Sequence, residues 1–135
     1  MNYAGFWKRV AAMLIDAIII TPIMIGIGMV LGVALVVVGI DSIQFVLNII
    51  GLIVSWVYFA LMESSGTQGT LGKKALGIKV TDLKGNQISF NKATDRYLCK
   101  LFSFVILAVG YIMVAFTERK QGLHDIMAEC VVVNK

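Results

Sequence analysis

The sequence predicts an all-α integral membrane protein: a helical hairpin plus a third bent or re-entrant membrane helix, with a small cytoplasmic β-hairpin. Three observations lead there. Residues 10–40 carry one charge, Asp16; residues 43–62 carry none; and residues 63–96 hold six of the 12 basic side chains. A helix crossing about 30 Å of hydrocarbon needs about 20 apolar residues, so each of the first two runs crosses once and neither crosses twice. With 135 residues and 59% hydrophobic content, the chain builds its core in lipid and forms a single domain, 1–135. Lys and Arg exceed Asp and Glu by 12 to 8. That surplus sits beside apolar runs, where it sets topology, so no nucleic-acid partner is expected.

Helix one occupies residues 1–40. Tyr3, Phe6, Trp7, Val10 and Met13 follow helical spacing, while Lys8, Arg9, Ala12 and Asp16 fall on another face. Trp7 and Tyr3 suit the headgroup layer, and Lys8 beside them favours a cytoplasmic N-terminus. Residues 1–10 have the basic start of a secretory signal, yet the apolar run is too long and lacks an Ala-x-Ala-like exit, so it is expected to stay uncleaved. Arg9 and Asp16 share a face about 10 Å apart along the axis, and an arginine leans toward its helix N-terminus, away from Asp16. Each charge therefore needs another partner from later in the chain, and Ala12 between them leaves room for one. Pro22 is expected to kink the span. Gly28 and Gly32 form a small-residue pair that suits dimerisation and equally suits packing on the second helix.

Residues 39–42 make the turn, and helix two spans residues 43–62. Folding the hairpin there sets Glu63 level with about residue 20 of helix one. Asp16 thus lies near the cytoplasmic boundary and not at the midplane, where a carboxylate costs several kcal/mol.

Residues 63–96 form the basic loop, placed in the cytoplasm by Lys73, Lys74, Lys79, Lys84, Lys92 and Arg96. The stretch from Gly66 to Lys74 lacks the first glycine of a phosphate loop, required at 67, and its hydroxyl, required at 74, which removes nucleotide binding. Lys73 and Lys74 are left as contacts for anionic lipid headgroups or as part of a solvated turn. Residues 78–81, the turn 82–85 and residues 87–90 alternate like a β-hairpin, and the β-rich residues 130–133 are placed to add a third strand on the same side of the membrane.

Residues 97–117 are the third membrane element and 118–135 the C-terminal segment. Phe102 to Phe116 is a mainly apolar stretch of fifteen residues with Gly110 inside, short for a span. A full span puts Arg119 and Lys120 outside, against their charge, whereas a re-entrant element returns them inside. Asp95, Arg96 and Lys100 read as interfacial anchors. Cys99 and Cys130 are expected as reduced thiols, since no ligand-like spacing surrounds them, and neither a metal nor a cofactor is expected. No nucleophile sits in a frame with a base, and His124 is sequence-adjacent to Asp125, a poor relay, so an enzyme is not expected.

The whole chain resembles the RDD family of small membrane proteins. The resemblance rests on residues 5–12 through Asp16, on Glu63-Ser64, on Thr70-Leu71-Gly72-Lys73 with residues 77–80, and on Leu123-His124-Asp125. It implies that the named arginine and two aspartates are Arg9, Asp16 and Asp125, and it points to a role in membrane transport, in some members cation/proton exchange. The implied location is a bacterial cell (inner) membrane, multi-pass, N-terminus cytoplasmic. Gathering Arg9, Asp16 and Asp125 at the cytoplasmic boundary requires the C-terminus inside, which selects the re-entrant form over three full spans. His124, Glu63, Arg96 and Lys73 are secondary candidates. Two functions follow from one cluster. Either it binds a proton or small cation, or it is a structural clasp in an adaptor that does not transport and that meets the lipid bilayer, a second copy or a larger membrane protein.

Overall fold

The two apolar runs form α1, Phe6–Val38, and α2, Ile43–Ser64, in the computed structural model, which describes residues 1–106 and 109–135. Both are long and apolar enough to cross a membrane. At 22 residues α2 is about 33 Å long, whereas the 33 residues of α1 reach about 50 Å and overrun a bilayer by several turns. The helix runs through Pro22 and stops where Gly39 takes φ +79°. There Ile40 donates to the Leu35 carbonyl at 3.1 Å and Gly39 to Val36 at 3.0 Å, the paired bonds that close a helix at a left-handed glycine.

A cap is assembled at the other end of the hairpin. It holds α3 (Leu71–Ala75), β1 (Ile78–Asp82), α4 (Phe90–Val105), α6 (Leu123–Met127) and β2 (Cys130–Asn134), with α5 (Val109–Ile112) and a 3-10 turn (Met113–Ala115) between α4 and α6. β1 and β2 pair antiparallel with Val80 opposite Val132, and Tyr3 bridges Val133 from the other side. β2 is therefore flanked by residues from both earlier parts of the chain. Ala4, Ile78, Val80, Ile88, Ala93, Ala128, Cys130 and Val132 make the cap's dry core.

The expected β-hairpin does not form. Its turn is present: Asp82 accepts from the Lys84 and Asn86 amides at 2.8 Å each, and Gly85 sits at φ +87°. The next residues turn away because Ser89 caps α4, accepting from the Lys92 amide at 3.2 Å, and starts a helix where a return strand was expected. The edge left open on β1 is taken by residues 130–134, as the β-rich composition of residues 130–133 had suggested.

α4 packs on α2. Trp56 donates through Nε1 to Thr94 Oγ1 at 3.0 Å, Tyr97 donates to the Leu52 carbonyl at 3.2 Å, and the Tyr97 and Phe59 rings stack. A third long helix is not seen among the described residues. α4 ends at Val105, Leu107 and Ala108 of the expected third element lie outside the described residues, and α5 then lies back against α4. The approach is close enough that a Cβ on Gly110 would meet Ser103 Cβ at 2.7 Å. Gly28 and Gly32 do not mediate the α1–α2 contact, since a Cβ on either meets nothing within 4 Å; the helices meet elsewhere, Met24 against Gly51 and Tyr58 against Asp16 among them.

Candidate functional site

Charges from five helices meet at the base of the cap. Arg96 on α4 is the centre: its Nε donates to Asp125 Oδ1 at 2.7 Å, and its Nη1 reaches both Glu63 oxygens at 2.6 Å. Arg9 on α1 closes the far side of Asp125, and Lys73 on α3 does the same for Glu63. Lys100, one helical turn past Arg96, adds a contact to Glu63 at 3.5 Å and lies 4.6 Å over the Phe59 ring. Arg96, Glu63 and Asp125 are each at most 1% exposed. Buried charges persist only when paired, and a guanidinium forked between two carboxylates meets that demand with fixed geometry.

The pairing sets protonation. Burial opposes ionisation of Asp125, but Arg96, His124 and Arg9 outweigh it and hold the carboxyl well below its ordinary range. Burial also disfavours the Lys73 ammonium, and even with Glu63 beside it the group is pushed down to about 7. Lys73, a secondary candidate for the cluster and otherwise expected at lipid phosphates or in a solvated turn, is buried against Glu63. Arg96, read both as an interfacial anchor and as a secondary candidate for the cluster, and Lys100, read only as an anchor, both belong to the network. Their spacing of four residues puts them on one face of α4, a signal present in the sequence.

Asp16 stands apart from this network. It accepts from the Thr70 hydroxyl at 2.5 Å, the Gly72 amide at 2.8 Å and the Tyr58 hydroxyl at 3.1 Å, all neutral donors. The expected cluster of Arg9, Asp16 and Asp125 thus divides in two. Arg9 leans toward its helix N-terminus, where Nη2 donates to the Lys120 carbonyl at 2.5 Å and Nε to the Ala4 carbonyl at 3.3 Å. Asp16 is left to the first turn of α3, whose amide it satisfies from outside. The room expected beside Ala12 is filled by Gly72, where a Cβ would lie 2.1 Å from the Ala12 carbonyl oxygen. Tyr58, Thr70 and Gly72 were not recognised from sequence as partners of Asp16, because 42 to 56 residues separate them from it.

His124 lies 3.4 Å from Asp125 Oδ1 and 4.9 Å from the Tyr111 ring, and its Nδ1 has no partner among the described residues. Burial drives its pKa down to about 3, with Asp125 opposing only in part. The folded value lies below the unfolded one, so stability is complete above about pH 6.5 and falls as the pH drops toward the folded value. At pH 5 the expected loss is about 2 kcal/mol, and Asp125 adds to the same trend only at lower pH. Thermal unfolding in detergent between pH 7 and pH 5 should show this decline, and His124→Gln should flatten it. An unchanged acid limb in the variant would assign the decline elsewhere.

Beside the network lies a cavity of about 310 Å³, walled by Arg9, Asp16, Lys73, Arg96, Lys100 and His124 and otherwise mainly apolar. No group of three or more His, Cys, Asp or Glu residues suited to a metal occurs among the described residues.

Uncharacterized membrane protein YteJ of Bacillus subtilis (strain 168) is 34% identical over 146 aligned positions, spanning 98% of this chain and 82% of YteJ. Uncharacterized protein YxaI of the same organism is 42% identical over 87 residues, 64% of this chain but only 57% of the length of YxaI. No solved structure matches. The RDD family pattern matches residues 3–129, from the strand-forming N-terminus past Asp125. On that match and these relatives, the chain belongs to the RDD family of membrane proteins.

Proposed function

We propose that this protein is a membrane adaptor in which the Arg9–Asp125–Arg96–Glu63 network is a clasp. The observation that carries this reading is the closure of the network: Asp125 is held by two guanidinium groups, and Glu63 by Arg96, Lys73 and Lys100. A carboxylate so engaged has no free coordination for a travelling cation. Two spans also provide little wall for a polar pathway, and their lipid-length faces are almost wholly left uncovered by the chain itself, which suits contact with lipid, a second copy or a larger membrane protein. The fold-back of α5 on α4 supports a re-entrant third element, and the basic residues of the cap support its placement in the cytoplasm with both chain ends.

A second reading, cation or proton exchange, is favoured by Asp16 alone. It lines the cavity and has no cationic partner among the described residues. One preparation in lipid vesicles separates the two. The adaptor reading expects no pH-driven sodium or potassium flux above that of empty vesicles, and coupling of about 1 kcal/mol or more between Arg9→Gln and Asp125→Asn in unfolding. Flux that disappears in Asp16→Asn would replace the adaptor with the transporter. A cysteine at Lys84, labelled only by reagents on the inner side of cells, tests the orientation.

A further inference from the structure

We propose that the cavity beside the network binds the headgroup of an anionic phospholipid from the surrounding bilayer, phosphate against Arg9, Lys100 and Lys73 and acyl chain out through the apolar mouth. This goes beyond the clasp, which concerns only the pairing of the protein's own charges.

Charge comes first. With Lys73 protonated, four cations, Arg9, Lys73, Arg96 and Lys100, meet two carboxylates, Glu63 and Asp125, leaving an excess of two positive charges; Asp16 on the same wall reduces it to one. An uncompensated positive charge in a low-dielectric setting calls for an anion, not a cation. Lys73 is the cation whose charge is least complete near neutral pH, and an anion beside it would restore the proton that burial disfavours.

Size and lining then narrow the anion. A volume of about 310 Å³ equals that of about ten waters, far more than a chloride or a bare phosphate fills. Most of the wall is apolar, and the side chains at the mouth, Met13, Phe104 and Ile112, are 53%, 75% and 50% exposed. A small hydrated anion would have to shed water against this surface. An amphiphile matches both halves, with its head on the cations and its chain on the phenylalanine and isoleucine.

The test uses purified full-length protein in a neutral detergent, with lipid retention read by native mass spectrometry. Phosphatidylglycerol should be retained over phosphatidylcholine by about tenfold, and inorganic phosphate should not compete. Lys100→Gln should reduce the preference to about threefold or less, while Lys74→Gln with Lys84→Gln, both on the exposed surface of the cap, should leave it intact. Should Lys100→Gln fail to fold, Ile112→Trp at the mouth blocks entry and must abolish retention. Equal retention of the two lipids, competition by inorganic phosphate, or a preference lost only with the surface lysines would each overturn the proposal. A failed clasp would show separately, as an absence of coupling between Arg9 and Asp125 with lipid preference unchanged.

Discussion

Arg96→Met lowers the stability of the folded protein by about 3 to 5 kcal/mol, read as thermal or denaturant unfolding in detergent. Methionine keeps most of the aliphatic stem and removes the fork. Asp125 then faces Arg9 alone, and Glu63 retains the two lysines, of which Lys100 is 3.5 Å away. Two carboxylates at most 1% exposed lose their shared partner in one step. Arg96→Lys recovers little, because one ammonium cannot span two carboxylates on different helices. Adding Asp125→Asn to Arg96→Met recovers part of the loss by removing the orphaned charge. Wild-type stability in Arg96→Met would remove the network from any role in holding the cap.

Gly72→Ala is the second large effect, with an expected loss of about 3 kcal/mol. The new methyl would lie 2.1 Å from the Ala12 carbonyl oxygen and 3.0 Å from Asp16 Cγ, with backbone on one side and a hydrogen-bonded carboxylate on the other. Neither can yield without cost. If α3 lifts away, Asp16 loses the Gly72 amide and the Thr70 hydroxyl together, two hydrogen bonds to a buried charge. Gly28→Ala is the matched control: the site is open, the backbone is helical, and alanine is the better helix former, so stability should hold or rise slightly. Equal tolerance of both substitutions would show that α3 does not dock on α1.

Much of the hairpin was legible because lipid imposes a local rule. A span must be apolar for about 20 residues, and a break such as residues 39–42 declares itself without reference to the rest of the chain. The α4 segment was half legible: its amphipathic beginning was visible, but the polar face was read as meeting headgroups when it meets Glu63 and Asp125. Those partners lie 33 and 29 residues away, and no periodicity reports a pairing at that distance. The hairpin expected after β1 failed for the same reason. Local alternation showed that residues 78–81 form a strand but could not show that its neighbour would come from about fifty residues later. The division of the charged triad came from side-chain direction. The lean of Arg9 was readable in advance, and the claim of α3 on Asp16 was not.

The order in which the chain leaves the ribosome acquires meaning from the position of β2. Both long helices and both arginines are synthesised well before Asp125 and the valines that lie between Tyr3 and β1. During that interval the hairpin is already able to enter the bilayer, while Arg9 and Arg96 still lack their shared carboxylate. Insertion precedes closure. A product ending before residue 125 would therefore be a membrane-held chain in which Arg9 lacks its carboxylate and Arg96 keeps only Glu63.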